Sequence, residues 1–179
     1  MSAIDDFKAI WRNYQTIRDC IKIASRSISQ NDLSLLKKTD FFENTADEAD
    51  EKIQVSQKDA DDYVIMTLWA CFERNLFSRF TNDIVNPDSK LKNKKIGDHI
   101  ERLQMVEVID AFKKSKGEAS IGIDSKLIGI AKQIYHYRNW IAHRNPKKPS
   151  PANVTPNMAY KTLLEILQEL DSQNILPSQ

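Results

Sequence analysis

Apolar residues return every three to four positions through most of this chain, and no stretch alternates apolar and polar residues in the manner of a strand. The spacing predicts one short helical turn at 33–36 and longer helices at 4–28, 59–83, 96–114, 124–143 and 156–170. Only four glycines and six prolines are present in 179 residues, so few positions interrupt the helices. We therefore expect an all-α protein whose length suits one domain over 1–179.

Three segments outside these patterns differ in composition. Residues 40–62 hold nine acidic residues and two lysines, without glycine or proline. This acidic segment is a solvated linker, a weakly amphipathic helix that leads into the next one, or an acidic flap that shields the basic half of the chain or mimics nucleic acid. Its carboxylate spacing matches no calcium or magnesium loop, so we expect no metal site. Residues 145–156 are predicted to be a proline-rich loop, and residues 171–179 a loose tail.

Charge is distributed unevenly along the chain. Residues 1–89 contain 11 Lys and Arg against 16 Asp and Glu, whereas residues 90–179 contain 15 against 9. A basic half of this kind is compatible with a nucleic-acid footprint on one face, although dipolar charge distributions are also common on inert surfaces.

Cys20 and Cys71 lie far apart and form no C-x-x-C pair. This arrangement fits two buried thiols in a reducing compartment better than a disulfide or a zinc site. No segment approaches about 18 consecutive apolar residues, and the N-terminus lacks a signal pattern. We therefore expect a cytoplasmic protein without a membrane segment, and we assign it no cofactor.

The helix predicted at 124–143 has two contrasting faces. An apolar face carries Leu127, Ile130, Ile134, Tyr137 and Ile141. The opposite, polar face carries Lys132, His136, Asn139 and His143. Arg138 lies between the two faces, about 140° from His143 around an ideal helix. The two side chains can converge only if the helix loosens at Ala142 or if a second subunit supplies one of them.

The stretch Arg138-Asn139-Trp140-Ile141-Ala142-His143 resembles the R-x4-6-H signature of the HEPN superfamily of helical ribonucleases and RNA-associated domains. Asn139 matches the family variant that has a polar residue directly after the arginine. The family places this motif at the end of a long helix in the last third of a small all-α domain, as the pattern here does. The resemblance implies an up-and-down bundle of four to five helices, and a homodimer in which two copies of the motif face one cleft.

RNA carries a 2′-OH that can attack the adjacent phosphate, so a metal-independent ribonuclease needs a group that transfers protons and a cation beside the phosphate. His143 suits the first role because histidine titrates at about pH 6.5, and Arg138 suits the second because its guanidinium keeps its charge. Asn139 would orient His143 or a phosphate oxygen. Flanking phosphates would be bound by Arg144, Lys147, Lys148, Lys92, Lys94 and Lys95.

Together with the resemblance, these roles predict a metal-independent endoribonuclease, acting as a toxin or defence nuclease on RNA, with an antitoxin or another protein as a further partner. One subgroup of family toxins carries Tyr two residues after the histidine, where this chain has Asn145. That departure argues against a close relation to the toxins that are paired with nucleotidyltransferase antitoxins.

The helix predicted at 59–83 repeats apolar residues at Tyr63, Met66, Trp69, Ala70, Leu76, Phe77 and Phe80. Glu73 interrupts this stripe, and an acid there costs free energy unless it is paired. Arg138 is one candidate partner, and a local arginine or water is another. His136 either assists His143 or faces solvent or a dimer interface. Tyr135, Tyr137, Trp69 and Trp140 are expected to pack in the core.

Two other classes of function remain open at this point. The first is a HEPN-like module that binds RNA, a nucleotide or a protein without cleaving it. The second is a helical interaction protein in which Glu73 and Arg138 form a structural pair and His143 caps a helix C-terminus, where a partly charged histidine is favourable.

Overall fold

The computed structural model describes residues 3–30, 32–85, 105–111, 122–143 and 149–172. The helices in these ranges are α1 Ala3–Ser29, α2 Leu33–Leu36, α3 Ala46–Val85, α4 Met105–Ala111, α5 Ser125–Ala142 and α6 Pro156–Ser172. No strand occurs within the same ranges, so the all-α prediction is confirmed for them. Helices α1, α3, α5 and α6 are long, and α2 is the single turn predicted at 33–36.

The longest helix, α3, has 40 residues and begins at Ala46 rather than at the predicted residue 59. Thr45 and Glu48 form a capping box at its start: the Glu48 N–H donates to Thr45 Oγ1 at 3.3 Å, and the Thr45 N–H donates to Glu48 Oε2 at 2.8 Å. Acids in the first turn also favour a helix N-terminus. The predicted start is therefore wrong, and the acidic segment is helical from residue 46 onward.

Helix α3 packs against α1, α4, α5 and α6, so it buries a wide part of its surface. Its buried apolar residues include Val64, Ile65, Leu68, Trp69, Cys71, Phe72 and Leu76. Tyr63, which was predicted to lie on the buried stripe, is 66% exposed. That prediction is wrong because an apolar stripe in the sequence indicates only one contact face. Within the described residues, the four helices that pack against α3 do not cover the side on which Tyr63 lies.

Aromatic residues connect α1 to the other long helices. The Tyr14 hydroxyl on α1 donates a hydrogen bond to the carboxylate of Asp61 on α3. The Trp11 ring stacks on Tyr160 of α6, with 4.4 Å between the ring centroids. The buried apolar residues of α1, α3, α4, α5 and α6 form one contiguous core.

Helix α6 begins at Pro156 as predicted, because Thr155 Oγ1 caps it by accepting the N–H of Met158 at 3.2 Å. The helix continues to Ser172, where Asp171 forms an ion pair with Arg79 of α3. The predicted tail at 171–179 is therefore wrong for its first two residues. Residues 173–179 lie outside the described residues, as do 145–148 of the predicted loop and most of the helix predicted at 96–114.

The two cysteines differ in exposure. Cys71 is buried, as predicted, whereas Cys20 is exposed, so the expectation of two buried thiols is wrong for Cys20. Cys20 lies about 120° from the buried Tyr14 around α1, so it does not share that residue's side of the helix. Both thiols are free, and burial raises the pKa of Cys71.

Candidate functional site

Helix α5 carries the stretch 138–143, and both of its ends agree with the prediction. The carboxylate of Asp124 caps its start by accepting the N–H of Lys126 at 2.6 Å. At the other end the N–H of His143 still donates to the carbonyl of Asn139 at 3.1 Å. Because this last helical hydrogen bond is formed, the helix does not loosen at Ala142. One of the two routes for bringing Arg138 and His143 together is thus absent from the structure.

The side chains of Glu73, Arg138 and Asn139 meet between α3 and α5, and we call them the motif cluster. Arg138 Nη1 donates to Asn139 Oδ1 at 2.8 Å, and Arg138 Nη2 lies 3.8 Å from Glu73 Oε2. The second distance is that of an ion pair but is too long for a hydrogen bond. The side chains of Arg138 and Glu73 are 31% and 30% exposed, so water reaches both charges. The predicted contact between Glu73 and Arg138 is therefore present, and it is loose.

His143 and His136 lie on the outer face of α5, and both residues are exposed. They are seven residues apart, which places them about 20° from each other around the helix. Arg138 lies about 140° from His143 on the same regular helix. Within one chain, the structure brings Arg138, Asn139 and Glu73 together, and His143 lies about 140° from Arg138 around the helix.

A second polar cluster joins the same two helices, and sequence reasoning missed it. The Tyr137 hydroxyl donates to Asp62 Oδ1 at 2.8 Å, and Lys58 Nζ donates to both Asp62 Oδ1 and Tyr137 Oη, each at 2.8 Å. The Asp62 side chain is only 2% exposed, whereas that of Lys58 is 57% exposed. We call these three residues the anchor cluster. It places a charged carboxylate in the interior and satisfies it with two donors.

The protons of the anchor cluster are distributed without conflict. Tyr137 has one hydroxyl proton, which goes to Asp62, and the Lys58 ammonium supplies two of its three. Burial raises the pKa of Tyr137, and the hydrogen bond to Asp62 raises it further. Burial acts to lower the pKa of Lys58, but its hydrogen bonds to Asp62 and Tyr137 outweigh that effect, and the net shift is upward. At neutral pH the Tyr137 hydroxyl therefore keeps its proton and Lys58 keeps its charge.

A signal for the anchor cluster was present in the sequence. Asp62 precedes the apolar residues Ile65 and Trp69 by three and seven positions, which places it on the buried side of the helix. Lys58 lies four positions before Asp62, at the spacing of a helical ion pair. Asp62 was instead counted among the nine acids of segment 40–62.

Aromatic residues surround both clusters. Trp69 is fully buried and its ring lies 5.5 Å from that of Tyr135 between centroids. Tyr137 is also buried, while Trp140 is partly buried against the core. The predicted packing roles of these four residues are confirmed, and Tyr137 makes polar contacts in addition.

The predicted phosphate-binding cations lie outside the described residues. These are Lys92, Lys94, Lys95, Arg144, Lys147 and Lys148.

No helix in the described part of the chain is long and apolar enough to cross a membrane. Within the same part, no three His, Cys, Asp or Glu side chains gather in a manner that could hold a metal ion. No family model, curated protein or solved structure matches the chain. The candidate site consists of the Arg138 guanidinium, which contacts the Asn139 amide and the Glu73 carboxylate. The imidazole of His143 lies at the end of the same helix.

Proposed function

We propose that this chain is a HEPN-like, metal-independent endoribonuclease that acts as a toxin or defence nuclease. One observation carries the proposal: the charged group of Arg138 is held at a solvent-accessible position, one and a half turns before an exposed His143 at the end of the same helix. A fixed cation and a group that titrates near neutral pH are the two components that RNA cleavage through the 2′-OH requires.

In this proposal His143 accepts the proton of the 2′-OH as its oxygen forms a bond to phosphorus. The bond from phosphorus to the 5′-oxygen then breaks, and a protonated imidazole supplies a proton to the leaving oxygen. Arg138 stabilises the negative charge on the non-bridging phosphate oxygens. The products are a 2′,3′-cyclic phosphate and a 5′-hydroxyl. Asn139 orients the guanidinium through its hydrogen bond, and the phosphate takes the place of Glu73, whose contact with Arg138 is loose.

The geometry of α5 supports a dimeric site. In one chain Arg138 and His143 diverge by about 140°, and the last turn of the helix is closed. A second copy in an antiparallel arrangement could present its own His143 beside Arg138, so each phosphate would meet groups from both chains. A homodimer of this kind would also offer an antitoxin protein a single surface with which to cover both motifs.

A second candidate function is a HEPN-like module that binds RNA or a protein without cleaving it. The observation that favours it is the same divergence, together with the engagement of the Arg138 guanidinium by both Asn139 and Glu73. Such a module would bind RNA with an affinity that falls steeply with salt and would leave the RNA intact.

The test is cleavage of a labelled single-stranded RNA in EDTA by the wild type, Arg138→Ala and His143→Ala, with Arg12→Ala on the exposed surface of α1 as the control. We expect cyclic phosphate ends from the wild type and the control, and a loss of at least about 100-fold in both motif variants. If a folded, dimeric wild type left the RNA intact, the nuclease proposal would fail and the non-cleaving binding module would take its place.

Mixing the two inactive variants tests the dimeric site. If Arg138 and His143 act from different chains, a heterodimer of Arg138→Ala with His143→Ala contains one complete site and one doubly altered site. Co-purified heterodimers should then regain about half of the wild-type activity by this count of sites. If both groups act from the same chain, the heterodimer has no complete site and stays inactive.

A further inference from the structure

The anchor cluster lies directly beside the motif, because Tyr137 and Arg138 are consecutive residues of α5. Tyr137 contacts Asp62, whereas Arg138 contacts Glu73, eleven residues further along α3. At about 1.5 Å per residue, the two acids are roughly 16 Å apart along the helix axis. Two neighbouring side chains therefore reach α3 in opposite directions along its axis.

The two contacts differ in what they can fix. In the anchor cluster Asp62 and Tyr137 are buried, and three hydrogen bonds of 2.8 Å each join them to one another and to Lys58. The contact between Arg138 and Glu73 is exposed to water, and its two charged atoms are 3.8 Å apart. A rotation of α5 would break the two hydrogen bonds that Tyr137 makes to Lys58 and Asp62 of α3, and the loss of a donor at the buried Asp62 carboxylate is costly. The exposed pair can exchange its partner for water. The anchor cluster is therefore the contact that resists rotation.

We propose that Lys58, Asp62 and Tyr137 are positioning residues, which set the rotation of α5 about its axis and hence the direction in which Arg138 and Asn139 project. Side chains extend about 5 Å from the axis of a helix, so a rotation of roughly 10° moves their tips by about 1 Å. A displacement of that size can lower a catalytic rate by about 100-fold. The effect on RNA cleavage rests on the proposed function, but the geometric effect on Arg138 does not.

The test uses Tyr137→Phe in the full chain, which removes one hydroxyl and keeps the ring. Tyr135→Phe is the matched control, because it removes a hydroxyl from the same helix outside the anchor cluster. Asp62→Asn is the conservative variant, because its carbonyl oxygen can still accept from Tyr137 and Lys58. Each variant is measured for RNA cleavage over a range of RNA concentrations in the steady state, which gives kcat and KM. Each is also measured for the side-chain Nε–H resonance of Arg138 and the amide resonances of Asn139 in ¹⁵N-labelled protein.

For Tyr137→Phe we expect cleavage to fall by roughly 10- to 100-fold with less than a twofold change in KM. The resonances of Arg138 and Asn139 should shift in the same variant. Tyr135→Phe should change neither, and Asp62→Asn should retain most of the activity and the wild-type resonances. A merely structural hydroxyl would lower stability and leave the Arg138 signal of the folded protein where it is.

Two outcomes overturn the proposal: wild-type resonances of Arg138 and Asn139 in folded Tyr137→Phe, or equal shifts in Tyr135→Phe. If Tyr137→Phe fails to fold, Lys58→Met takes its place, because Lys58 is the exposed member of the anchor cluster, and the Arg138 resonance remains the deciding signal. If the wild type cleaves no RNA, the proposed nuclease fails, and the resonances still decide whether the anchor cluster positions Arg138.

Discussion

Two acids of α3 meet two consecutive residues of α5, and their surroundings differ sharply. Asp62, in the anchor cluster, is 2% exposed and accepts hydrogen bonds of 2.8 Å from both Tyr137 and Lys58. Glu73, in the motif cluster, is 30% exposed and lies 3.8 Å from the guanidinium of Arg138. Both clusters join the same pair of helices. The main difference between the two acids is therefore how far water reaches them.

The difference suits the two clusters to different tasks. A buried carboxylate cannot lose a donor without a large desolvation penalty, so the anchor cluster holds one arrangement of the helices. A half-exposed ion pair contributes little to stability, because water and salt compete with it. For the same reason a phosphate can displace Glu73 from Arg138 at low cost. Tyr137 thus holds the helix in place, while the neighbouring Arg138 stays available to a phosphate.

The largest expected effect comes from replacing each acid in turn, which tests whether the two clusters differ in their contribution to stability. Asp62→Ala should lower the free energy of unfolding by about 2–4 kcal/mol, because the buried Tyr137 hydroxyl loses its acceptor and Lys58 loses its counter-charge. Glu73→Ala should lower it by less than about 1 kcal/mol. Urea unfolding followed by circular dichroism measures both.

Alanine has a higher helix propensity than either acid, so a local loss of helicity cannot explain the larger effect. Equal destabilisation by the two variants would contradict the division into an anchor and an available site. An altered dependence on urea concentration in only one variant would instead point to a change in the unfolded state.

The contact between Glu73 and Arg138 was among the predictions from the sequence, whereas the anchor cluster was missed although its spacing was there to be read, and the difference has a physical reason. Glu73 is conspicuous because it interrupts an apolar stripe, and burial of an acid requires a partner. Asp62 is surrounded by other acids in the sequence, and their density concealed the one that points inward. The acid content of a segment says nothing about which side of the helix each acid occupies. Which side is buried depends on where the neighbouring helices lie.

Helix ends were predicted more accurately than helix faces. Asp124, Thr155 and Pro156 act through residues within one turn, so the sequence contains both partners of each cap. The exposure of Tyr63 depends on which sides of α3 are covered by helices distant in sequence. The start of α3 was missed for a different reason: the acidic segment was left open between a linker, a helix and a flap, and the capping box at Thr45 and Glu48 was not recognised.

A smaller effect is expected at alkaline pH. The pKa values of Tyr137 and Lys58 are both raised in the folded protein, so the fold retains protons that the unfolded chain releases near pH 10. The free energy of unfolding should be independent of these groups below about pH 10 and should fall as the pH rises above it. Tyr14 adds to the same trend, because burial and Asp61 raise its pKa.

Urea unfolding between pH 8 and about pH 11.5 measures this slope. Tyr137→Phe should give a shallower decline than the wild type, since it removes one titrating group and one partner of Lys58. Tyr135→Phe serves again as the control and should keep the wild-type slope. If the free energy of unfolding declined equally with pH in Tyr137→Phe and the wild type, the pKa of Tyr137 would not be raised in the folded protein, and the prediction would be wrong.

The smallest effect concerns salt, and it sharpens the comparison most directly. A double-mutant cycle of Glu73→Gln with Arg138→Gln should give a coupling free energy below about 1 kcal/mol at 0.05 M NaCl. The coupling should approach zero at 1 M, where the Debye length is about 3 Å. A cycle of Asp62→Ala with Tyr137→Phe should give a larger coupling that salt hardly changes, because the pair is buried and one partner is uncharged. Urea is the suitable denaturant, since guanidinium chloride is itself a salt. Equal salt sensitivity in the two cycles would show that water reaches both clusters alike, and the anchor cluster would then have no advantage over the motif cluster in holding α5 in place.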